Sequence, residues 1–139
     1  MPALSERTNL FTDSPIAKMS VLSDQYGAVN LSAGFPDFPR PRPILDSLKQ
    51  IADEGPHQYS LDAGSENFRH ALAEFRFKCT GRKPDTNKEL IATCGGTEAL
   101  ISTIMTVVDK GDKVIIFSPY YDAYSVDVKL AGGEPIFVS

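Results

Sequence analysis

The stretch Thr93-Cys94-Gly95-Gly96-Thr97-Glu98-Ala99-Leu100, TCGGTEAL, joins a run with the character of a strand to a run with the character of a helix. A strand can turn into a helix through ordinary loop residues, so paired glycines point to unusual backbone angles or to a close approach by something else. A phosphate would suit the place. The first turn of a helix offers N–H groups with no partner inside the helix, together with the positive end of the macrodipole. Thr97 adds a hydroxyl donor. The same eight residues also read as a tight turn with Thr97 as N-cap and nothing bound, and they do not choose between the two.

Working outward, ELIATC before the glycines reads as a buried strand. After them Leu100, Ile101, Ile104, Val107 and Val108 recur as the inner face of a helix ending at Gly111. KVIIF is a second strand. Val126, Val128, Leu130 and Ala131 carry a helix from SPYYDAY to Gly132-Gly133, and EPIFVS is a third strand. This β-α-β-α-β order predicts an α/β fold with a parallel sheet, whose ligands bind beyond the carboxyl ends of the strands. TCGGTEAL and SPYYDAY both fall there. The chain contains no GxGxxG, GxxxxGK[ST] or GxSxG pattern.

Upstream, residues 1–30 read as an arm ending in AVNLSAG and leading to a short strand. The four prolines of PDFPRPRP, Pro36 to Pro43, then hold the chain extended, with Pro43 where a helix tolerates proline. Ile44, Leu45, Leu48 and Ile51 share one face of a short amphipathic helix stopped by Gly55 and Pro56. HQYSLDAGS is a loop. Ser65 then caps a helix whose apolar face is Phe68, Ala71, Leu72 and Phe75, ending at Gly81.

At 139 residues with 42% hydrophobic and 23% charged side chains, the composition is that of a soluble globular chain. A net charge of -4 and pI near 5.1 argue against a nucleic-acid partner. No apolar run is long enough for a membrane span and none resembles a leader, so the expected compartment is the cytoplasm. Cys79, Cys94, His57 and His70 make neither a disulfide framework nor a metal set, and the cysteines are expected to be packing residues.

Four stretches in register, NLSAGFPDFPRP, HQYSLDAGSENFRHALAEF, TCGGTEAL and GDKVIIFSPYYDAYSVDVKLAGG, resemble the amino-terminal third of class I aminotransferases that use pyridoxal phosphate. The likeness is greatest to the kynurenine, glutamine and methionine aminotransferase branch. It implies part of the pyridoxal-phosphate transferase fold (fold type I). Residues 1–45 would be an N-terminal arm and small-domain segment, and 46–139 the start of the large cofactor-binding α/β domain. The implied activity is transfer of an amino group from an amino acid to a 2-oxo acid. In the resemblance Gly95, Gly96 and Thr97 hold the cofactor phosphate, and Tyr121 stacks on the pyridine ring. The Gly34 backbone meets the substrate carboxylate, Phe35 lines the substrate pocket, and Tyr59 reaches the phosphate of the neighbouring subunit in a homodimer. The residues alone also admit Gly34 as a simple turn, Tyr120, Tyr121 and Tyr124 as aromatics that pack or cap the helix start, and Tyr59 as a loop aromatic packed within its own chain.

The chemistry also needs a lysine that forms the Schiff base with the cofactor, a carboxylate on the pyridine nitrogen and an arginine for the substrate. The resemblance places all three beyond Ser139, so the expectation is a fragment inactive on its own. Lys110, Lys113 and Lys129 read as solvated charges, not substitutes. Two other classes stay open: a non-catalytic module binding a phosphate-bearing ligand, and a structural or regulatory fragment pairing with a full-length subunit.

Overall fold

A computed structural model describes residues 3–11, 13–55 and 57–139. One compact unit comprises Met1–Ser14 with Asp62–Ser139, and another comprises Pro15–Leu61.

In the first unit the centre is a parallel pair of strands, β1 (Lys113–Phe117) and β2 (Glu134–Val138), in the register Lys113↔Glu134, Ile115↔Ile136 and Phe117↔Val138. Both are runs rich in β-branched and aromatic residues, which suit a pleated, half-buried surface. The crossover between them is α5 (Ala123–Leu130), which packs on both strands and on α4 (Gly96–Val107). Ile116 from β1 and Val128 from α5 are buried at this junction. The crossover closes on glycine: a Cβ on Gly133 would lie 2.8 Å from Val108 Cγ1 and 3.1 Å from Val128 Cγ1. Helix α3 (Glu66–Thr80) ends on Gly81 in the left-handed region, φ 72°, as glycine at that position permits.

The parallel α/β architecture stands, but ELIATC is not a strand. Leu90–Thr93 form no ladder and lie between bends at Glu89 and Cys94. Among the described residues their backbone tie to another segment is a single bond, Ala92 N–H to the Ala63 carbonyl at 3.0 Å. A strand needs a partner along its length, and an apolar run does not create one. The observed order is therefore α3-α4-β1-α5-β2. Helix α4 also stops at Val107, with Val108 extended, and Gly111 (φ 91°) belongs to the turn into β1. Val107, expected on the inner face, is exposed.

The face of α3 is turned too. Arg69 and Ala73 are buried, whereas Phe68, Ala71 and Phe75 are exposed. The buried guanidinium explains the offset: Arg69 Nη1 donates to the Thr86 carbonyl and, at 3.4 Å, to Asn87 Oδ1, so α3 presents Arg69 to the 86–87 turn.

In the second unit, α1 (Pro15–Tyr26) occupies part of what the sequence presents as an arm, and AVNLSAG forms no strand. Ser20 and Ser23 hydroxyls bond back to the Ile16 and Met19 carbonyls, both at 3.0 Å, within α1. Helix α2 (Arg42–Asp53) starts as the prolines predict, and its C-cap is Glu54; Pro56, the expected stop, lies outside the described residues. On its apolar face Ile44, Leu48 and Ile51 are more than half exposed and Leu45 is half-buried.

Candidate functional site

The glycine pair does two different jobs. Gly95 is the N-cap of α4 at φ 86°, ψ 174°, a conformation that is essentially glycine's alone. Gly96 opens the helix with an ordinary backbone, and a Cβ there would meet no atom within 4 Å. The turn explains Gly95 and leaves Gly96 unexplained within the chain. Gly95→Ala is therefore expected to destabilise the chain by about 1–3 kcal/mol, read as a lower midpoint in urea. An unchanged midpoint would show that the turn relaxes without cost.

Around the pair, the Cys94 N–H donates to the Glu98 carboxylate, and Thr93 Oγ1 donates to the Gly95 carbonyl at 3.0 Å. The first intrahelical bond runs from Ala99 N–H to the Gly95 carbonyl, 3.3 Å. The Gly96, Thr97 and Glu98 N–H groups precede it and have no acceptor within the helix. Glu98, three residues after the N-cap, is a helix-start signal visible in the sequence but not used there.

Tyr121 arrives from the carboxyl end of β1. Asp122 Oδ1 accepts the Ala123 N–H at 3.0 Å and the Tyr121 carbonyl accepts the Tyr124 N–H at 3.0 Å, which fixes the SPYYDAY turn at the start of α5. Tyr121 and Tyr124 meet edge to face, 5.9 Å between centroids, while Tyr120 stacks on Phe137 at 5.0 Å. Gly96, Thr97, Leu100, Tyr121 and Tyr124 together line a hollow of about 360 Å³. None of these side chains is charged. N–H and hydroxyl donors at a helix start suit a phosphate, and an aromatic face beside them suits a flat heteroaromatic ring. Pyridoxal phosphate fits this donor set, and the space that a Cβ on Gly96 would take is open to it.

Gly95 borders the loop without lining the hollow. Gly34, Phe35 and Tyr59 belong to the other unit. Gly34 has no positive φ and a Cβ there would meet nothing within 4 Å, so turn geometry does not demand glycine. Asn30, which the sequence reading passed over, organises the approach to it. Asn30 Oδ1 accepts the Ser32 and Ala33 N–H groups at 3.0 and 3.3 Å, and its Nδ2 donates to Ser20 Oγ of α1 at 3.0 Å. Phe35 is 77% exposed. Tyr59 is 97% exposed with φ 58°, uncommon for a non-glycine residue. Cys79 and Cys94 are exposed and so do not pack a core.

Residues 26–139 match the family described as aminotransferase class I and II. The chain belongs to this family. Methionine aminotransferase of Escherichia coli is 39% identical over 126 residues, which cover 91% of this chain and 31% of that protein. Human kynurenine–oxoglutarate transaminase 1 is 34% identical, with 91% and 30% covered. Among solved structures, N-succinyldiaminopimelate aminotransferase from Mycobacterium tuberculosis superposes with a TM-score of 0.89 at 34% identity, covering 98% of this chain and 35% of that one. The chain thus spans about a third of the length of the aminotransferases it matches, and its fold is the corresponding part of the pyridoxal-phosphate transferase fold. Class I aminotransferases use pyridoxal 5'-phosphate. Among the described residues no helix is long and apolar enough to cross a membrane, and no three His, Cys, Asp or Glu side chains group so as to hold a metal ion.

One ionisable group near this aminotransferase loop stands out. Asp127 in α5 is 6% exposed, its Oδ2 has no hydrogen-bond partner among the described residues, and burial raises its pKa above the ordinary carboxyl value. The folded chain then keeps a proton that the unfolded chain has released, so stability falls as pH rises from the unfolded Asp value through the raised folded value. Asp127→Asn should flatten that slope in melting temperature, measured from about pH 3 to pH 7. Identical slopes in both proteins would assign the effect elsewhere.

Proposed function

We propose that the chain supplies part of the active site of a pyridoxal-phosphate-dependent enzyme that moves an amino group from an amino acid to a 2-oxo acid. The observation that carries this reading is the meeting of Gly96, Thr97 and Tyr121 around one uncharged hollow. When bound, pyridoxal phosphate supplies an electron-withdrawing ring for the charge released as the amino acid loses its Cα proton. The N–H groups of Gly96 and Thr97 and the Thr97 hydroxyl hold the phosphate, with Gly95 shaping the turn. Tyr121 covers one face of the ring and excludes water from it. The Gly34 backbone takes the substrate carboxylate and Phe35 lines the substrate pocket. Tyr59, exposed on its own unit, reaches the phosphate site of a partner subunit, so the working assembly is a homodimer in the cytoplasm. Residues 1–45 act as arm and small-domain segment and 46–139 as the start of the cofactor domain.

Lys110, Lys113 and Lys129 are all exposed, the ordinary place of a solvated surface charge. On this reading none of them is the Schiff-base lysine, and the 139 residues alone do not transaminate. Incubation with pyridoxal phosphate, borohydride reduction and peptide mapping should give several low-occupancy lysine adducts and no oxo acid from methionine, glutamine or kynurenine. Amide resonances of residues 95–98 should shift with pyridoxal phosphate and not with pyridoxal. A single stoichiometric lysine adduct with turnover would overturn the inactivity, and equal shifts from the two compounds would overturn the phosphate loop.

A further inference from the structure

Helix α4 carries one half of a capping arrangement and lacks the other. In the full arrangement an N-cap serine or threonine takes an N–H of the first turn, and a glutamate three residues on reaches back to the N-cap N–H. Here the N-cap is Gly95, which has no side chain to take one. The glutamate is present as Glu98. The Gly95 N–H, however, already donates to the Thr93 carbonyl at 2.9 Å, and Glu98 reaches one residue further back, to the Cys94 N–H. Its carboxylate therefore joins the incoming chain to the helix across Gly95, which is held at φ 86° and ψ 174°. Glycine swings about its backbone bonds more easily than any other residue, so such a hinge keeps one geometry only where something braces it. The Thr93 hydroxyl steadies the Gly95 carbonyl, and Glu98 is the side chain of the helix itself that returns to the loop. Cys94 and Glu98 are both exposed, and Glu98 takes part in none of the four ion pairs among the described residues. The bond to Cys94, not burial or a cation, holds the carboxylate in place.

We propose that Glu98 is a positioning residue for phosphate binding: it braces the Gly95 turn through the Cys94 N–H, so that the Gly96 and Thr97 N–H groups stay aimed at the ligand space. The assignment rests on the cofactor reading above. Glu98 acts in two ways of opposite sign. As a hydrogen-bond acceptor it helps, because a loop fixed in advance loses less freedom when the phosphate arrives. As a charge it opposes, because a carboxylate in the first turn and a phosphate repel each other, although solvent and salt screen that repulsion at an exposed position. Glutamine keeps the acceptor and removes the charge, since its side-chain carbonyl serves at the same capping position. Alanine removes both. The difference between glutamine and alanine at 98 thus isolates the brace, and alanine's higher helix propensity keeps that difference from being a weakened helix.

The test measures the affinity of the 139-residue chain, Glu98→Gln and Glu98→Ala for pyridoxine phosphate, followed by the amide shifts of residues 95–98. This probe lacks the aldehyde and forms no imine with surface lysines, and pyridoxine without the phosphate is its control. Glu98→Gln should bind within about threefold of the parent. Glu98→Ala should bind at least about fivefold more weakly than Glu98→Gln. Amide exchange supplies a readout that a general structural role does not reproduce. The Cys94 N–H should exchange slowly in the parent and in Glu98→Gln and fast in Glu98→Ala, with the amides from Ala99 to Val107 of α4 unchanged. Equal affinities in the two variants overturn the positioning role, and so does faster exchange along the whole of α4 in Glu98→Ala, which makes Glu98 a support of the helix. Fast exchange of the Cys94 N–H in the folded parent overturns it without any variant. Equal shifts from pyridoxine phosphate and pyridoxine in the parent overturn the phosphate loop itself and the positioning role with it, while a slow Cys94 N–H would still mark the brace.

Discussion

Gly96→Val is expected to weaken pyridoxal phosphate binding by at least about 2 kcal/mol, about thirtyfold in Kd, while leaving the chain folded. Both halves follow from the backbone geometry at Gly96. A Cβ at Gly96 meets no protein atom within 4 Å, and the residue opens α4 without a positive φ, so the chain accepts a branched side chain there. The space that the valine methyl groups would fill is the hollow over the Gly96 and Thr97 N–H groups. An anion kept off those donors loses charge-assisted hydrogen bonds and the helix-start field together. Binding is followed by the shift of residues 95–98, and folding by the melting temperature. Retained affinity in a folded variant would return both glycines to a simple turn. Lost affinity with a lowered melting temperature would mean that Gly96 serves the fold. Gly95→Ala is the complement: it strains the turn and lowers stability before it touches the ligand space.

How far the sequence reaches depends on whether a signal is local. KVIIF and EPIFVS read correctly as strands because each is an apolar run between turn residues, and the two pair in parallel across a helical crossover as their order predicts. ELIATC carries the same signal and fails, because pairing is a property of two segments and no described segment lies along it. Helix α1 is hard to read because serines at 20 and 23 break its apolar stripe, and the structure uses them to bond back to their own helix. In α3 the period was legible but the face was not, since the choice was made by Arg69 reaching the Thr86 carbonyl, a tertiary event. The site shows the same division. Gly95, Gly96, Thr97 and Tyr121 were legible as a turn chemistry, an opening helix and an aromatic after a strand. Asp127 was not, because Val126, Val128 and Leu130 alternate and do not say which side of α5 faces inward.

The largest effect on stability is expected at Gly64, outside every residue assigned to the cofactor. Gly64 has φ 89°, and a Cβ built on it would lie 2.4 Å from the Cβ of Ala92. Alanine at 64 meets both an unfavourable backbone and an overlap that neither side chain can rotate away, since both are methyl groups. Strain of about 1–3 kcal/mol from the backbone and a similar amount from overpacking give a loss of about 3 kcal/mol or more. The two causes are separable. In Gly64→Ala/Ala92→Gly the overlap disappears and the φ penalty remains, so the double variant should be more stable than Gly64→Ala alone, although Ala92→Gly alone destabilises. Urea midpoints of the four proteins make the cycle, and additive losses would show that the contact does not exist. The consequence reaches the proposed phosphate loop through three residues of backbone. The Ala63 carbonyl holds the Ala92 N–H at 3.0 Å, and the chain then runs through Thr93 and Cys94 into the Gly95 turn. If residues 62–64 clamp the segment that delivers the loop, Gly64→Ala should weaken pyridoxal phosphate binding at urea-free conditions where the variant is still folded. Ala92→Gly should restore part of that affinity in the double variant. Binding unaffected in a folded Gly64→Ala would confine the clamp to stability and leave the loop to be set by Gly95 and Glu98 alone.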